Sequence, residues 1–223
     1  DSFPLDVFQT GSGTSTNMNA NEVIANLASK KSKLKINAND DVNMSQSSND
    51  VIPTAICVSA LIDMNRLLLP NLDHLIKTID LKMKQVKGHV KTGRTHLMDA
   101  MPIDFAQELS GWKAQLEANK KTIVLATNRM NELPQGGTAI GTGINTHKDF
   151  SKFFCSELNK ISKFKTKPLK NFYQGLSSVD NAVELSSAIK NLSIILMKIS
   201  NDLRWMNSGP LTGLGEIELE ALQ

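Results

Sequence analysis

Residues 105–130 read FAQELSGWKAQLEANKKTIVLATNRM, and most positions that recur every three or four residues are apolar. The set is Phe105, Leu109, Trp112, Leu116, Asn119, Ile123, Ala126 and Met130. A repeat of about 3.5 residues kept over several heptads is typical of helices that pack side by side at a shallow angle. We therefore predict a long helix here, packed lengthwise against other helices.

Two further stretches carry the same repeat. One is Ala55, Val58, Ile62, Asn65, Leu69, Leu72, Ile76, Ile79, Met83 and Val86, and the other is Leu185, Ile189, Leu192, Leu196, Ile199, Leu203 and Met206. Pro70 is expected to kink or break the first of these helices, and Pro53 suits a first-turn position. The last stretch is poor in charge, as helices buried between subunits are. The predicted fold class is all-α, a long-helix bundle completed by oligomerisation. On this pattern alone, a monomeric bundle stays an alternative.

Composition narrows the classes of function. The chain has 223 residues, 40% of them apolar, with a net charge of +3 and 5% aromatic residues, which gives little surface for stacking nucleic-acid bases. We expect no nucleic-acid partner. No apolar run approaches the roughly 18 residues of a membrane-spanning helix, so we expect no membrane partner either. Two cysteines do not make a disulfide framework, and neither CxxC nor HExxH occurs, so we expect a reducing compartment, no metal and no cofactor.

Four polar segments lie near predicted helix starts. They are TGSGTSTNMN (10–19), SQSSND (45–50), GRTH (93–96) and GGTAIGTGIN (136–145). Hydroxyl and amide side chains at such places can cap helices. Together with backbone N–H groups, they can also seat the carboxylates of a small anionic metabolite without a metal. The residues alone leave both interpretations open.

The same segments resemble conserved blocks of the fumarase/aspartase superfamily, in the family's order and along nearly the whole chain. Further blocks include NEVIA (21–25), Asp99 and Pro102 after GRTH, NDLR (201–204), SGP (208–210) and GLGE (213–216). His96 and Gly215 favour the fumarase branch, because aspartases generally carry glutamine and asparagine there. The resemblance implies a homotetramer whose active sites draw on several subunits.

The resemblance also implies a reaction, the reversible hydration of fumarate to (S)-malate by acid/base catalysis without a metal. His96 would be the catalytic acid/base group that handles the water, a role that imidazole side chains often fill near neutral pH. The implied contacts to the dicarboxylate substrate are Ser12, Thr14, Ser47, Ser48, Asn49, Thr95 and Asn145. A secondary anion site would involve Asn37, Asn39 and Asp40, and it is in doubt because fumarases often carry histidine where Asn37 stands.

The resemblance divides the chain into two parts. Residues 1–50 would end an N-terminal domain that carries substrate-binding loops, and residues 51–223 would form the central helical bundle domain. The start of the first domain and a C-terminal domain with the catalytic serine loop are missing from this stretch, so a chain that ended at Gln223 would be inactive. Leu211 replaces a residue that is often arginine.

Two other functions stay open. An aspartate ammonia-lyase-type elimination would have to proceed despite His96, and a non-catalytic helical assembly protein would keep the bundle without the chemistry. We expect a cytoplasmic location, or a mitochondrial one in a eukaryote.

Overall fold

Helices dominate the computed structural model, which describes residues 2–6, 8–9 and 11–221. They are α1 (Thr14–Ser32), α2 (Ser48–Asp63), α3 (Leu69–Val86), α4 (Phe105–Arg129), α5 (Phe150–Ser162), α6 (Phe172–Ser177) and α7 (Asp180–Met206). Two π-helical turns, Ala38–Val42 and Met64–Leu68, complete the helical part. The all-α prediction is confirmed, and the three heptad stretches coincide with α2–α3, α4 and α7. Thr10, the first residue of the first polar segment, lies outside the described residues.

Two small sheets interrupt the helices. Strands β1 (Val90–Thr95) and β2 (Met98–Asp104) pair antiparallel, and β3 (Glu132–Leu133) and β4 (Lys167–Pro168) pair parallel. The expectation that GRTH is a loop at a helix start is therefore wrong. These residues end a strand, and His96 and Leu97 form the turn with φ of 52° and 63°. Two left-handed residues in a two-residue connection match the right-handed twist of a hairpin.

The chain forms two compact units. One unit comprises residues 1–63 and 127–183, and the other comprises residues 64–126 and 184–223. In the second unit α4 contacts α3 through the Lys113–Asp80 ion pair and contacts α7 through Trp112, whose Nε1 donates to Asp202 at 3.1 Å. The predicted domain boundary at residues 50 and 51 stays a prediction.

The heptad stripe of α4 forms a buried face. Leu116 and Ile123 are fully buried, and Leu109, Trp112 and Ala126 are nearly so. Asn119 occupies a stripe position, and its amide donates to the carbonyl oxygen of Ala188 in α7 at 3.2 Å. The predicted lengthwise packing of this helix is confirmed, and its one polar stripe position makes a contact between helices.

The buried face of α2 is displaced by one residue from the predicted stripe. The prediction placed Ala55, Val58 and Ile62 inside, whereas the buried residues are Asp50, Thr54, Cys57 and Leu61. In α3, in contrast, Leu72, Ile76 and Ile79 are buried as predicted. The π-helical turn Met64–Leu68 lies between the two helices, and a π-helical turn accommodates an extra residue. The extra residue places the buried faces of α2 and α3 one position out of step with each other. A heptad repeat continued without interruption from α3 into α2 therefore predicts the wrong face of α2.

The two prolines act differently from each other. Pro70 lies in the first turn of α3, directly after the π-helical turn, and the backbone stays helical from Ser48 to Val86, so the helix is not broken at Pro70 and the expected kink stays a prediction. Pro53 lies inside α2 and not in its first turn, because α2 begins earlier, at Ser48. The physical reason for that early start is the capping arrangement described below.

The first polar segment is partly helical, which the sequence pattern did not predict. Helix α1 begins at Thr14, and its buried residues are Asn17, Asn21 and Ala25. These positions have helical spacing, but two of the three side chains are amides. A face of this kind gives no apolar periodicity, so the usual signal of a helix is missing.

The helical stretch Ser48–Val86 is long and apolar enough to cross a membrane by length and composition, judged over an 18-residue window. The prediction that no apolar run approaches this length is therefore wrong. One such helix is weak evidence for a membrane, because the core helices of soluble proteins meet the same criterion. Only 17% of the window is buried, so this chain covers little of its apolar surface.

Candidate active site

Helix α2 begins at Ser48 because Ser47 and Asp50 cap it reciprocally. The Ser47 hydroxyl accepts a hydrogen bond from the N–H of Asn49 at 3.2 Å, and the Asp50 carboxylate accepts one from the N–H of Ser47 at 2.9 Å. This arrangement follows a capping box, with aspartate in the position where glutamate is more common. It fixes the backbone of Ser47, Ser48 and Asn49, three of the residues predicted to bind the substrate.

Asp50 also holds the glycine-rich fourth segment. Its second carboxylate oxygen accepts hydrogen bonds from the N–H groups of Gly136 and Thr138, both at 2.9 Å, and its side chain is fully buried. Burial raises the pKa of Asp50, while the backbone N–H donors of Ser47, Gly136 and Thr138 oppose that rise. One carboxylate thus joins two polar segments that lie more than 80 residues apart.

An amide network orients Ser48. Asn17 donates to Ser48 Oγ at 3.1 Å, and Asn21 donates to Asn17 Oδ1 at 3.3 Å and to Asn43 Oδ1 at 3.0 Å. Ser48 Oγ accepts a hydrogen bond from the Asn17 amide, so its own hydroxyl proton can be donated to a ligand. Asn17 and Asn21 are buried, so the network is shielded from water.

Three predicted site residues meet at one cavity in the first unit. Ser12, Ser48 and Asn49 line a cavity of about 310 Å³, and its other walls are Gly11, Ile52, Pro53, Ile56 and residues 175–179. Asn49 is held there by its amide, which donates to the carbonyl oxygen of Ala139 at 2.8 Å. The cavity lining combines hydroxyl and amide donors with apolar side chains, which suits a small anion with a hydrocarbon part.

Thr95 and His96 belong to the second unit, at the tip of the β1–β2 hairpin. Both side chains are exposed. Within the described part of the chain the imidazole of His96 has no hydrogen-bond or ion-pair partner. An exposed and unengaged imidazole at a tight turn is able to accept or deliver a proton.

Thr14 and Asn145, two other residues predicted to bind the substrate, lie in the first unit. Thr14 is the first residue of α1, and its hydroxyl is 3.2 Å from that of Ser12. Asn145 is exposed with φ of 61°, and its backbone oxygen accepts a hydrogen bond from the Ser45 hydroxyl at 3.5 Å. Neither residue lines the cavity of Ser12, Ser48 and Asn49. Their predicted contacts with the substrate stay predictions.

The polar groups of the predicted secondary anion site form hydrogen bonds with neighbouring residues of the same turn. Asn37 Oδ1 accepts hydrogen bonds from the N–H groups of Asn39 at 2.8 Å and Asp40 at 3.0 Å, so it caps the following π-helical turn. The N–H of Asn37 in turn donates to the Asp41 carboxylate at 2.7 Å. Two aspartates in one turn make a poor environment for an anion, which adds to the doubt raised by the missing histidine.

Sequence reasoning assigned no role to Asn17, Asp50 or the segment of residues 175–179. Asp50 had a detectable signal, because serine followed three positions later by an acidic residue is the spacing of a capping box. No sequence pattern marks Asn17 or residues 175–179, because their contacts are with segments that are distant in the sequence.

Replacement of Asp50 by asparagine should destabilise the protein by about 1–3 kcal/mol, the cost of a buried group left without its partner. Both carboxylate oxygens accept hydrogen bonds from backbone N–H groups, and an amide has only one oxygen. The measurement is the free energy of unfolding in denaturant.

Asp63→Asn provides the matched control, because Asp63 is exposed at the other end of the same helix. It should change the unfolding free energy by less than about 0.5 kcal/mol. If Asp50→Asn and the unaltered protein had the same free energy of unfolding, the proposed role of Asp50 in holding the two segments together would be contradicted.

Known proteins are similar to this chain over its full length. The family model described as lyase matches residues 1–223. Fumarate hydratase class II 2 of Pseudomonas aeruginosa is 54% identical over 221 residues, which cover 99% of this chain and 48% of that protein. Fumarate hydratase class II of Xylella fastidiosa strain Temecula1 is 52% identical over 221 residues, with 99% and 47% coverage.

A solved structure agrees with these relatives. The class II fumarase from Schistosoma mansoni superposes with a TM-score of 0.96 at 37% identity, over 100% of this chain and 51% of that one. The chain therefore spans about half the length of the relatives it matches. The resemblance to the fumarase/aspartase superfamily is confirmed, and the match of the family model to residues 1–223 shows that the chain belongs to this lyase family.

Proposed function

We propose that the protein to which this chain belongs hydrates fumarate reversibly to (S)-malate, as a fumarate hydratase (hydro-lyase). The observation that carries the proposal is the cavity lined by Ser12, Ser48 and Asn49, in a chain 54% identical to a protein named fumarate hydratase class II. Its donors are neutral hydroxyls and amides, the kind of group that can stabilise charge developing on a substrate carboxylate. The reaction is proposed to need no metal and no cofactor.

The proposed chemistry assigns carboxylate binding and proton transfer to different residues. Ser48 and Asn49 would hold a carboxylate, and Ser48 is suited to this because Asn17 leaves its proton free for the ligand. His96 would take a proton from water as the water oxygen bonds to one carbon of the double bond. A proton reaches the other carbon from a second group, which the resemblance places in a serine loop that follows this stretch.

We further propose that the protein is a homotetramer with active sites shared between subunits. Support comes from apolar side chains that this chain leaves uncovered, among them Leu81 at 60%, Leu125 at 67% and Met197 at 60% exposure. An apolar 18-residue window within the helical stretch Ser48–Val86 is only 17% buried as well. Apolar helical faces left exposed in this way are typical of subunit interfaces.

A cytoplasmic location, or a mitochondrial one in a eukaryote, is proposed as well. Its support is that Cys57 and Cys155 are both buried free thiols, as expected in a reducing compartment.

The first test follows the ultraviolet absorbance of fumarate with the protein expressed from its complete gene. Loss of absorbance in ammonium-free buffer, with malate as the product, is the expected result. Loss only after ammonium is added would contradict the proposal and assign the protein to aspartase-type chemistry. No loss in either buffer would favour a helical assembly protein without this activity.

The His96→Asn variant should lose about 10²- to 10⁴-fold in kcat, the usual contribution of a general acid or base. Asparagine keeps a polar side chain that tolerates the left-handed turn conformation, so the hairpin should persist. His74→Asn is the control, because His74 is exposed on α3. A folded His96→Asn variant with near-normal kcat would overturn the catalytic role of His96.

The Ser48→Ala variant should raise KM for fumarate about 10- to 100-fold, as expected for one lost hydrogen bond to a charged group. Ser59→Ala is the control on the same helix, because the Ser59 hydroxyl is exposed and donates only to the carbonyl oxygen of Ile56. An unchanged KM in Ser48→Ala would show that this hydroxyl does not contact the substrate.

A further inference from the structure

A buried cluster of four charged side chains lies in the second unit. Lys91 Nζ is 2.5 Å from Glu108 Oε2 and 2.7 Å from Glu216 Oε2, and the Arg94 guanidinium donates to the other oxygen of Glu216. The side chains of Lys91 and Glu216 are only 6% and 9% exposed. The cluster joins strand β1, the first turn of α4 and the segment after α7.

The Glu216 carboxylate is shared between two cations three positions apart on one strand. The β1–β2 ladder is irregular here, since its register shifts between Thr92 and Arg94, and such an irregularity adds twist. Gly93 lies between the two cations, and a Cβ atom there would be 2.5 Å from the carbonyl oxygen of Met101. The strand is thus packed too closely against β2 at this point to accept a side chain.

The backbone of Glu216 is itself tied to the end of α7. The N–H of Glu216 donates to the carbonyl oxygen of Met206 at 2.8 Å, and the N–H of Gly215 donates to that of Ser208 at 2.6 Å. Asn207 Oδ1 accepts from the N–H of Leu219 at 2.8 Å. The bond to Met206 uses a carbonyl group that the end of α7 leaves without a helical partner. Glu216 therefore connects a long helix to the hairpin.

Burial raises the pKa of Glu216, but the hydrogen bonds and charges of Arg94 and Lys91 outweigh it and hold the pKa below its ordinary value. Glu216 is ionised at neutral pH as a result. If Glu216 carried no charge, Glu108 would be the carboxylate of the cluster left to balance Lys91 and Arg94, and it contacts Lys91. Two partly buried cations with one carboxylate repel each other, so the strand that carries them would lose its fixed position.

Arg94 directly precedes Thr95 and His96 at the exposed tip of the hairpin. A two-stranded hairpin is marginally stable by itself, so the position of its tip depends on what anchors its strands. We propose that Glu216 is a positioning residue for the Thr95–His96 turn, acting through Arg94 and Lys91. This inference rests on the proposed role of His96 in fumarate hydration.

The test compares Glu216→Gln, Glu216→Asp and Glu218→Gln in the protein expressed from its complete gene. Glu216→Gln should lower kcat for fumarate about tenfold or more, since small displacements of a reacting group have effects of up to about 10²-fold. KM should change less than about threefold, because Ser12, Ser48 and Asn49 lie on other elements. Glu216→Asp keeps the charge and should recover part of kcat. Glu218→Gln, an exposed neighbour on the same segment, should leave kcat unchanged.

Amide hydrogen exchange supplies the second readout. Glu216→Gln should speed exchange in residues 90–104 and leave exchange in α1 and α2 unchanged. Unchanged kcat and unchanged exchange would overturn the inference, and so would faster exchange throughout the chain, which indicates general destabilisation. If the unaltered protein does not act on fumarate, the proposed function fails, while faster exchange confined to residues 90–104 would still support Glu216 as the anchor of the hairpin.

Discussion

The buried carboxylate of Asp50 is the interaction on which the candidate site in the first unit depends. Its two oxygens accept hydrogen bonds from the N–H groups of Ser47, Gly136 and Thr138, so the start of α2 and the glycine-rich segment are held by one side chain. Gly136 has φ of 104°, a conformation that glycine adopts without strain. The polar groups that line the cavity are thus supported by a buried acceptor that is not part of the lining.

In the second unit, too, the buried groups that hold the backbone differ from the exposed group that would contact a ligand. The predicted acid/base group, His96, is exposed and has no hydrogen-bond or ion-pair partner among the residues that the structure describes, while Lys91, Arg94 and Glu216 form a largely buried ionic cluster. In both units, the groups proposed to contact a ligand are neutral hydroxyls, amides or an imidazole. The charged groups bind within the protein instead: Asp50 accepts hydrogen bonds from backbone N–H groups, and Lys91 and Arg94 pair with carboxylates.

The sequence predicted the long helices well where burial is apolar and regular. The stripe of α4 from Leu109 to Met130 is buried as the heptad repeat indicated. Side chains that recur every 3.5 residues lie on one side of a helix, so they all face the helices packed there. The prediction failed in α2, where the π-helical turn shifted the buried face to Thr54, Cys57 and Leu61. It also missed α1, whose buried face begins with Asn17 and Asn21. A pattern of hydrophobicity does not register an inserted residue or a face made of amides.

What the sequence by itself determined is the set of local features: the heptad helices and the polar segments with Ser48, Asn49 and His96. Each of these depends on neighbours within a few turns of the chain, so spacing and residue type are sufficient to reveal it. Only the tertiary structure decided which segments meet, as Asp50 meets Gly136 and Glu216 meets Arg94. These contacts join residues 86 and 122 positions apart, and no local pattern encodes them, because each group finds its partner only after the helices have packed.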